Sequence, residues 1–356
     1  MNRVVLRWMP AAAAAALIAS VAIVVPVAAN AAVNLPTKTP QQVLELVSQS
    51  SLKNFSGTLQ QTSNLGLPAL PTTGTGSSSS ATSALSVLAG SYTARVYVNG
   101  PTKTRFQIMD KLAERDVVKN GSDVWLYDSS AKTATHVSLP ASTHSGSTAP
   151  ETAQPGTEQT PAQLAQRLLS AVGPTTNVTV GADVRVAGRT AYDLVLSPRA
   201  SDTLVSSVAI AVDSATGLPL SVDLFARGQQ DAAFSIAFSS FSPQTPAADL
   251  FTFTPPAGVT VKQQAVPQGQ PGVKKPSGTP SQHGVVGTGW DAVIVLPAST
   301  ETTKLTSSPL FSQLTSSVAG GRVLHTALVN VFFASDGRVL AGSVSPARLE
   351  AVAASQ

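Results

Sequence analysis

Apolar residues alternate with polar ones at period two through most of the stretch between positions 92 and 254. No other feature constrains the chain as much. Tyr92, Ala94, Val96 and Val98 share one face of a strand that ends at Asn99-Gly100. Phe106 and Ile108 belong to the next, and Asn120-Gly121 turns the chain into Val124-Trp125-Leu126-Tyr127. Tyr192, Leu194 and Leu196 alternate with Asp193 and Ser197. Val208, Ile210 and Val212 run into the turn from Asp213 to Gly217, and Leu220, Val222 and Leu224 follow. Phe234, Ile236 and Phe238 come next, then Phe251 and Phe253. Such strands, separated by Asn-Gly or Asp/Gly turns, predict an antiparallel sheet with one apolar face.

Water excludes that face, so something must cover it. Only two helices announce themselves in this part. Thr39-Pro40-Gln41-Gln42 and Thr160-Pro161-Ala162-Gln163 each place Thr at the N-cap, Pro at the first helical position and Gln at the third. The Thr hydroxyl and the Gln amide satisfy each other's orphan backbone groups, and Pro loses no bond there. Val43, Leu44, Leu46 and Val47 give the first helix one apolar stripe; Leu164, Leu168, Leu169 and Val172 give the second. Two short helices are little cover for so many strands. The sequence therefore predicts a curved sheet with a concave apolar interior, a shape suited to an apolar ligand. Phe106, Trp125, Tyr192, Leu194, Leu224, Phe234, Phe238 and Phe251 are the candidate lining residues.

The chain begins with Arg3 and Arg7 and no acid, continues with an apolar run from Ala11 to Val27, and reaches Ala29-Asn30-Ala31. Basic, apolar, then small-x-small is the order of a secretory signal. Residues 1–31 are read as that signal, with cleavage expected after Ala31; an uncleaved anchor is the rival. The rest is expected outside the cytoplasm, secreted or associated with the cell envelope. Composition narrows the function further. Among 356 residues there is no Cys, which removes disulfides, catalytic thiols, thiolate metal sites and a lipid-modified N-terminal Cys. The 23 Lys and Arg against 19 Asp and Glu, two of the former in the leader, make too small a field to hold nucleic acid.

Pro68 to Ser83 and Pro140 to Thr160 read as long surface loops. Residues 263–283, with Pro267, Pro271, Pro276 and Pro280 among Gly and Gln, read as an interdomain linker. It divides a large unit, 32–262, from a small α+β unit, 284–356. The small unit reads as a strand from Trp290 to Leu296, then a helix opened by Ser308-Pro309 and running through Leu314 and Val318. A long strand from Val323 to Phe333, an Asp336-Gly337 hairpin turn, a strand from Val339 to Val344 and a closing helix from Ser345-Pro346 complete it.

No catalytic constellation stands out. There is no G-x-S-x-G elbow, no H-E-x-x-H and no G-x-x-x-x-G-K-[ST] loop. Gly287-Thr288-Gly289 follows a Pro-rich stretch rather than a strand, so it reads as a turn. The 4 His residues fall in polar loops or strand-like runs, where ordinary surface or half-buried roles suffice. Lys103, Arg105, Lys111, Arg115 and Lys119 are interleaved with Asp110, Glu114 and Asp116, which predicts a solvated mixed-charge face. No cofactor and no enzymatic activity are expected.

Tyr192 to Arg199, Val208 to Val222 with Val212-Asp213 and Thr216-Gly217-Leu218-Pro219, and Phe238 to Pro255 together resemble actinobacterial members of the LolA-like family. The helix at Pro40 running into Phe55-Ser56-Gly57-Thr58-Leu59 fits the same order of elements. The resemblance covers about Leu35 to Val261. It implies an α+β fold: an unclosed antiparallel half-barrel, lined with apolar side chains and lidded by helices. It also implies lipid or lipoprotein acyl chains as the cargo. The added small domain, with Val329 to Phe333 and Asp336-Gly337-Arg338, resembles the two-domain arrangement of RseB-type sigma-E regulators. That implies a membrane-anchored regulator or an exporter as a further partner.

Overall fold

The computed structural model describes residues 34–66, 90–109, 113–139, 160–265, 284–299, 302–303, 306–307 and 309–355. The leader, the first long loop, the second up to residue 159 and nearly all of the expected linker lie outside the described residues. Gln263, Gln264 and Ala265, read from the sequence as the start of that linker, instead complete a strand.

The first described element is helix α1 (Pro40–Ser48), followed by β1 (Asn54–Ser63), β2 (Tyr92–Asn99), β3 (Lys103–Met109), β4 (Glu114–Asn120), β5 (Asp123–Asp128) and β6 (Thr133–Ser138). Helix α2 (Pro161–Ser170) separates these from β7 (Thr176–Val180), β8 (Val184–Val186), β9 (Arg189–Pro198), β10 (Val205–Asp213), β11 (Pro219–Ala226), β12 (Ala232–Ser242) and β13 (Thr260–Ala265). Both helices start as the sequence predicts. Thr39 and Thr160 each accept a hydrogen bond from the backbone N–H of the third helical residue, Gln42 or Gln163, whose side chain accepts in return from the cap N–H.

Among the described residues the strands form one sheet in the order β13-β6-β5-β4-β3-β2-β1-β12-β11-β10-β9-β7, with β8 paired to β9 off that path. Every pair is antiparallel except β13 with β6, which is parallel. Phe251 and Phe253 are not in a strand: a 3-10 turn, Ala248–Phe251, replaces it. The ends of the sheet path, β13 and β7, do not pair, so the barrel is unclosed. Its curvature is marked by β8, which reaches across three intervening strands to touch β12.

A second sheet follows: β14 (Gly284–Val286), β15 (Val293–Leu296), β16 (Thr315–Val318), β17 (Gly321–Leu324), β18 (Asn330–Ala334) and β19 (Val339–Gly342), in the order β14-β15-β19-β18-β17-β16. Helix α3 (Pro309–Leu314) stops before Thr315 instead of running to Val318, and helix α4 (Pro346–Ser355) closes the chain. Trp290 lies in a short 3-10 turn rather than in β15. The expected long strand from Val323 to Phe333 is broken into β17 and β18 by a loop at residues 325–329. The hairpin turn holds, with Gly337 at φ 91°. Leu349 and Val352 of α4 are buried on Val293, Val323, Phe332 and Leu340. Leu35–Gln356 forms one compact unit.

Candidate functional site

Cross-strand register decides which side chains share a face, because directly opposed residues point the same way. Starting from Ala94 and Val96 on β2, the partners on β1 are Leu59 and Gly57, and on β3 Ile108 and Phe106. Leu59 opposes Phe238 and Gln61 opposes Ile236 on β12, across a bulge between Thr58 and Leu59. The row continues through Val222 and Leu224, then Ile210 and Val208, to Leu194, Leu196 and Tyr192 on β9. Phe106, Tyr192, Leu194, Leu224, Phe234 and Phe238 therefore lie on one face, the concave one.

Two of the eight expected lining residues are elsewhere. Trp125 opposes Val118 and His136, and Val118 opposes Arg105. That row is the opposite face of the sheet. Trp125 stacks on His136 with ring centroids 4.4 Å apart and meets Phe253 at 5.4 Å. Phe251 belongs to the 3-10 turn laid against β3 and β4, and the Leu250 carbonyl accepts from Arg105 at 3.2 Å. These two aromatics cover the outer side of the sheet and do not join the other six.

The six form two adjoining apolar pools. Tyr192 and Leu194 are buried, with Leu224 and Phe234 partly so, in a cluster that takes in Val43 of α1 and Ala165 of α2. Leu44, Leu46, Val47, Leu164, Leu168, Leu169 and Val172 pack on it, so both predicted helix stripes face the sheet. The Tyr192 hydroxyl donates to the Pro36 carbonyl at 3.1 Å, which satisfies its polar end. Phe106 and Phe238 sit in the second pool with Phe55, Leu59, Ile108 and Leu220. Gly57 is required there: a Cβ would run into the Ser240 carbonyl and lie 2.7 Å from the Phe238 ring.

The tip of the β8–β9 hairpin folds over this second pool, with Val186 and Ala187 against it. Arg189 pins the fold-over. Its guanidinium lies 5.5 Å from the centroid of Phe241 and makes two 2.7 Å hydrogen bonds to Asp213. Burial pushes the Asp213 carboxyl up, but donors from Arg189 and Thr216 outweigh that and hold it below the usual range. On β3 and β4, Arg105 and Asp116 make the same two-point contact at 3.2 and 2.6 Å. There burial wins over Arg105, and with Glu114 nearby the Asp116 carboxyl is raised. Asp116 is only 1% exposed, so the expected solvated face is a buried ion pair at this point; Asp110 and Lys111 lie outside the described residues. Local sequence patterns do not pick out these pairs, because each joins residues of different strands that meet only once the strands have paired.

A third acid faces outward. Asp193, on the opposite side of β9 from Leu194, is pushed up to about 6 by burial and then by the charge of Asp223. An open depression of about 600 Å³ lies between the C-terminal end of α1 and the β10–β11 turn, lined by Leu46, Lys53, Asn54, Thr216, Pro243 and Thr245 among others. None of the eight expected lining residues touches it.

Residues 91–254 match the family model described as outer membrane lipoprotein carrier protein LolA. No curated protein matches the chain. Among solved structures, the chain is similar to the Pseudomonas aeruginosa MucA/MucB complex, at 16% identity over 88% of this chain and 96% of that one, TM-score 0.44. It is also similar to an uncharacterized conserved protein from Thermus thermophilus, at 12% identity over 63% and 98%, TM-score 0.34. A LolA superfamily protein from Nitrosomonas europaea is similar at 11% identity over 61% and 99%, TM-score 0.21. With an open antiparallel sheet, two helices on its concave face and the family match over its central strands, the chain has a LolA-like fold.

Proposed function

We propose that this chain is an extracytoplasmic, non-enzymatic carrier that shelters an acyl chain of a lipid or lipoprotein on the concave face of the large sheet. One observation carries the reading. Phe106, Tyr192, Leu194, Leu224, Phe234 and Phe238, drawn from four strands, share a single apolar face, under α1 and α2 at one part and the β8–β9 hairpin at the other, within the segment matched by the carrier family. Trp125 and Phe251 are left out of the proposed lining. A fully sheltered hydrocarbon gains about 0.8 kcal/mol per methylene, so a long chain supplies roughly 10 kcal/mol before ordering costs, with no charged contact. The leader read from the sequence supports a site of action beyond the cytoplasmic membrane. Native mass spectrometry of protein purified under mild conditions is expected to show bound lipid. Protein that is uniformly free of lipid and ignores added lipid contradicts the reading.

The second reading is a regulator-binding protein of the cell envelope, with the small sheet gripping a membrane-anchored partner. It is favoured by the presence of that sheet, which the carrier match at 91–254 does not include. Pull-down with the full chain from solubilised envelope, compared before and after lipid loading, separates the two. A carrier releases lipid to its partner, whereas a regulator changes partner on loading.

A further inference from the structure

Among the described residues, hydrogen bonds join the two sheets at three places. Thr203 and Leu204 both donate to the Ser343 carbonyl, at 2.8 and 2.7 Å, and Arg227 braces the Thr203 carbonyl at 2.7 Å. The Trp290 indole N–H donates to Thr176 at 2.9 Å. The Ala327 amide donates to the Leu65 carbonyl at 2.9 Å. Every one of these is polar, and each can be exchanged for water when the surfaces part.

A second set of contacts is apolar, and Leu328 is its most buried member. Leu328, from the loop that breaks the expected long strand, is only 6% exposed. It belongs to the same apolar cluster as Tyr192, Leu194, Ile210 and Val222 of the large sheet, and not to the core of its own sheet. Trp290 and Ala327 pack beside it. The loop is shaped to present it. The Thr326 hydroxyl accepts from the Leu328 and Val329 amides at 3.4 and 2.9 Å and donates to the Val329 carbonyl at 2.6 Å. Val329 itself is left 38% exposed, so the turn sends one apolar residue inward and the next outward. At the same end of the concave face, two residues before Leu65, the Ser63 hydroxyl is buried and has no hydrogen-bond partner among the described residues.

The concave face is thus packed in this state, and a side chain from the other sheet completes the packing. We propose that Leu328 is an intramolecular plug: the 325–329 loop holds the end of the apolar interior shut, and an acyl chain enters only when the loop withdraws. This rests on the acyl-carrier reading. A hydrocarbon tail buries many more methylenes than one leucine, so the guest can displace the plug. Withdrawal takes Leu328 out of the large sheet's apolar cluster and leaves the core of the small sheet intact. Anything that grips the small sheet then alters lipid uptake by shifting one equilibrium.

The test is a disulfide clamp. The chain has no cysteine, so Leu65→Cys with Ala327→Cys can form one bridge only, where the backbone hydrogen bond already holds the two segments side by side. Uptake of the fluorescent fatty acid cis-parinaric acid is followed on the full chain. The oxidised clamp is expected to take it up about tenfold more slowly than wild type, with reduction restoring the rate, and Leu328→Ala to speed uptake about threefold. An oxidised clamp that binds at the wild-type rate overturns the plug and leaves the carrier reading standing. If no form binds, the reduced clamp and Leu328→Ala included, the carrier reading fails and the plug falls with it.

Discussion

Asp193 and Leu194 are neighbours in sequence and opposites in environment, which is the period-two rule at its smallest scale. Leu194 is fully buried on the concave face, while Asp193 sits on the outer face beside Asp223 with its pKa raised from 3.8 to about 6. A carboxyl raised in the folded state binds its proton more tightly there than in the unfolded chain. The folded state therefore loses stability as pH rises from about 4 to about 6, and the full penalty stands above that. Asp193→Asn removes the charge without changing the shape. It is expected to stabilise the protein by about 1 kcal/mol at pH 8, a two-unit shift being worth roughly 3 kcal/mol before solvent screening at a half-buried site. At pH 4 it should change little. Urea melts at the two pH values check this, and an equal effect at both contradicts it.

Among the elements, those with a local chemical signature were legible in the sequence. Both helices were marked by Thr-Pro-x-Gln, and the structure forms both capping boxes. The strands of the large sheet were legible where apolar and polar residues alternate. What was hidden lacked such a pattern. Strand β13, Thr-Val-Lys-Gln-Gln-Ala, is mostly polar and is held by parallel pairing to β6, a contact that no local signal announces. The run from Val323 to Phe333 reads as one strand because its apolar residues continue through Leu328, yet Leu328 serves the other sheet's core and the strand breaks around it. The β8–β9 hairpin depends on a residue distant from its own pattern. Arg189→Ala leaves Asp213, 1% exposed, without its cation and is expected to cost about 3 kcal/mol in equilibrium unfolding. A loss below about 0.5 kcal/mol would mean that Thr216 and the turn hold Asp213 unaided.

Over the whole molecule, the architecture is more legible in the sequence than the face on which each large apolar side chain lies. Six of the eight expected residues share the concave face. Trp125 reads with them because Val124-Trp125-Leu126-Tyr127 is apolar at every position, and without alternation the sequence does not say which face is which. The structure settles the parity through the pairing of Trp125 with Val118 and His136. Phe251 also reads as part of the alternation, but the turn at Ala248–Phe251 ends it and brings the chain back over the outer side of the sheet. The two apolar surfaces are thus chemically similar and topologically distinct: one lies under helices and the small sheet's Leu328, the other under the chain's own 3-10 turn.

That distinction makes the central claim directly measurable. A fatty acid carrying a diazirine on its alkyl chain, bound to the full-length protein, irradiated and mapped by peptide mass spectrometry, reports which side chains line the bound tail. The account predicts labelling of peptides from β3, β9, β11 and β12 that contain Phe106, Leu194, Leu224 and Phe238, with Trp125 and Phe251 unlabelled. Labelling confined to the outer-face aromatics, or spread evenly over the surface, would contradict it.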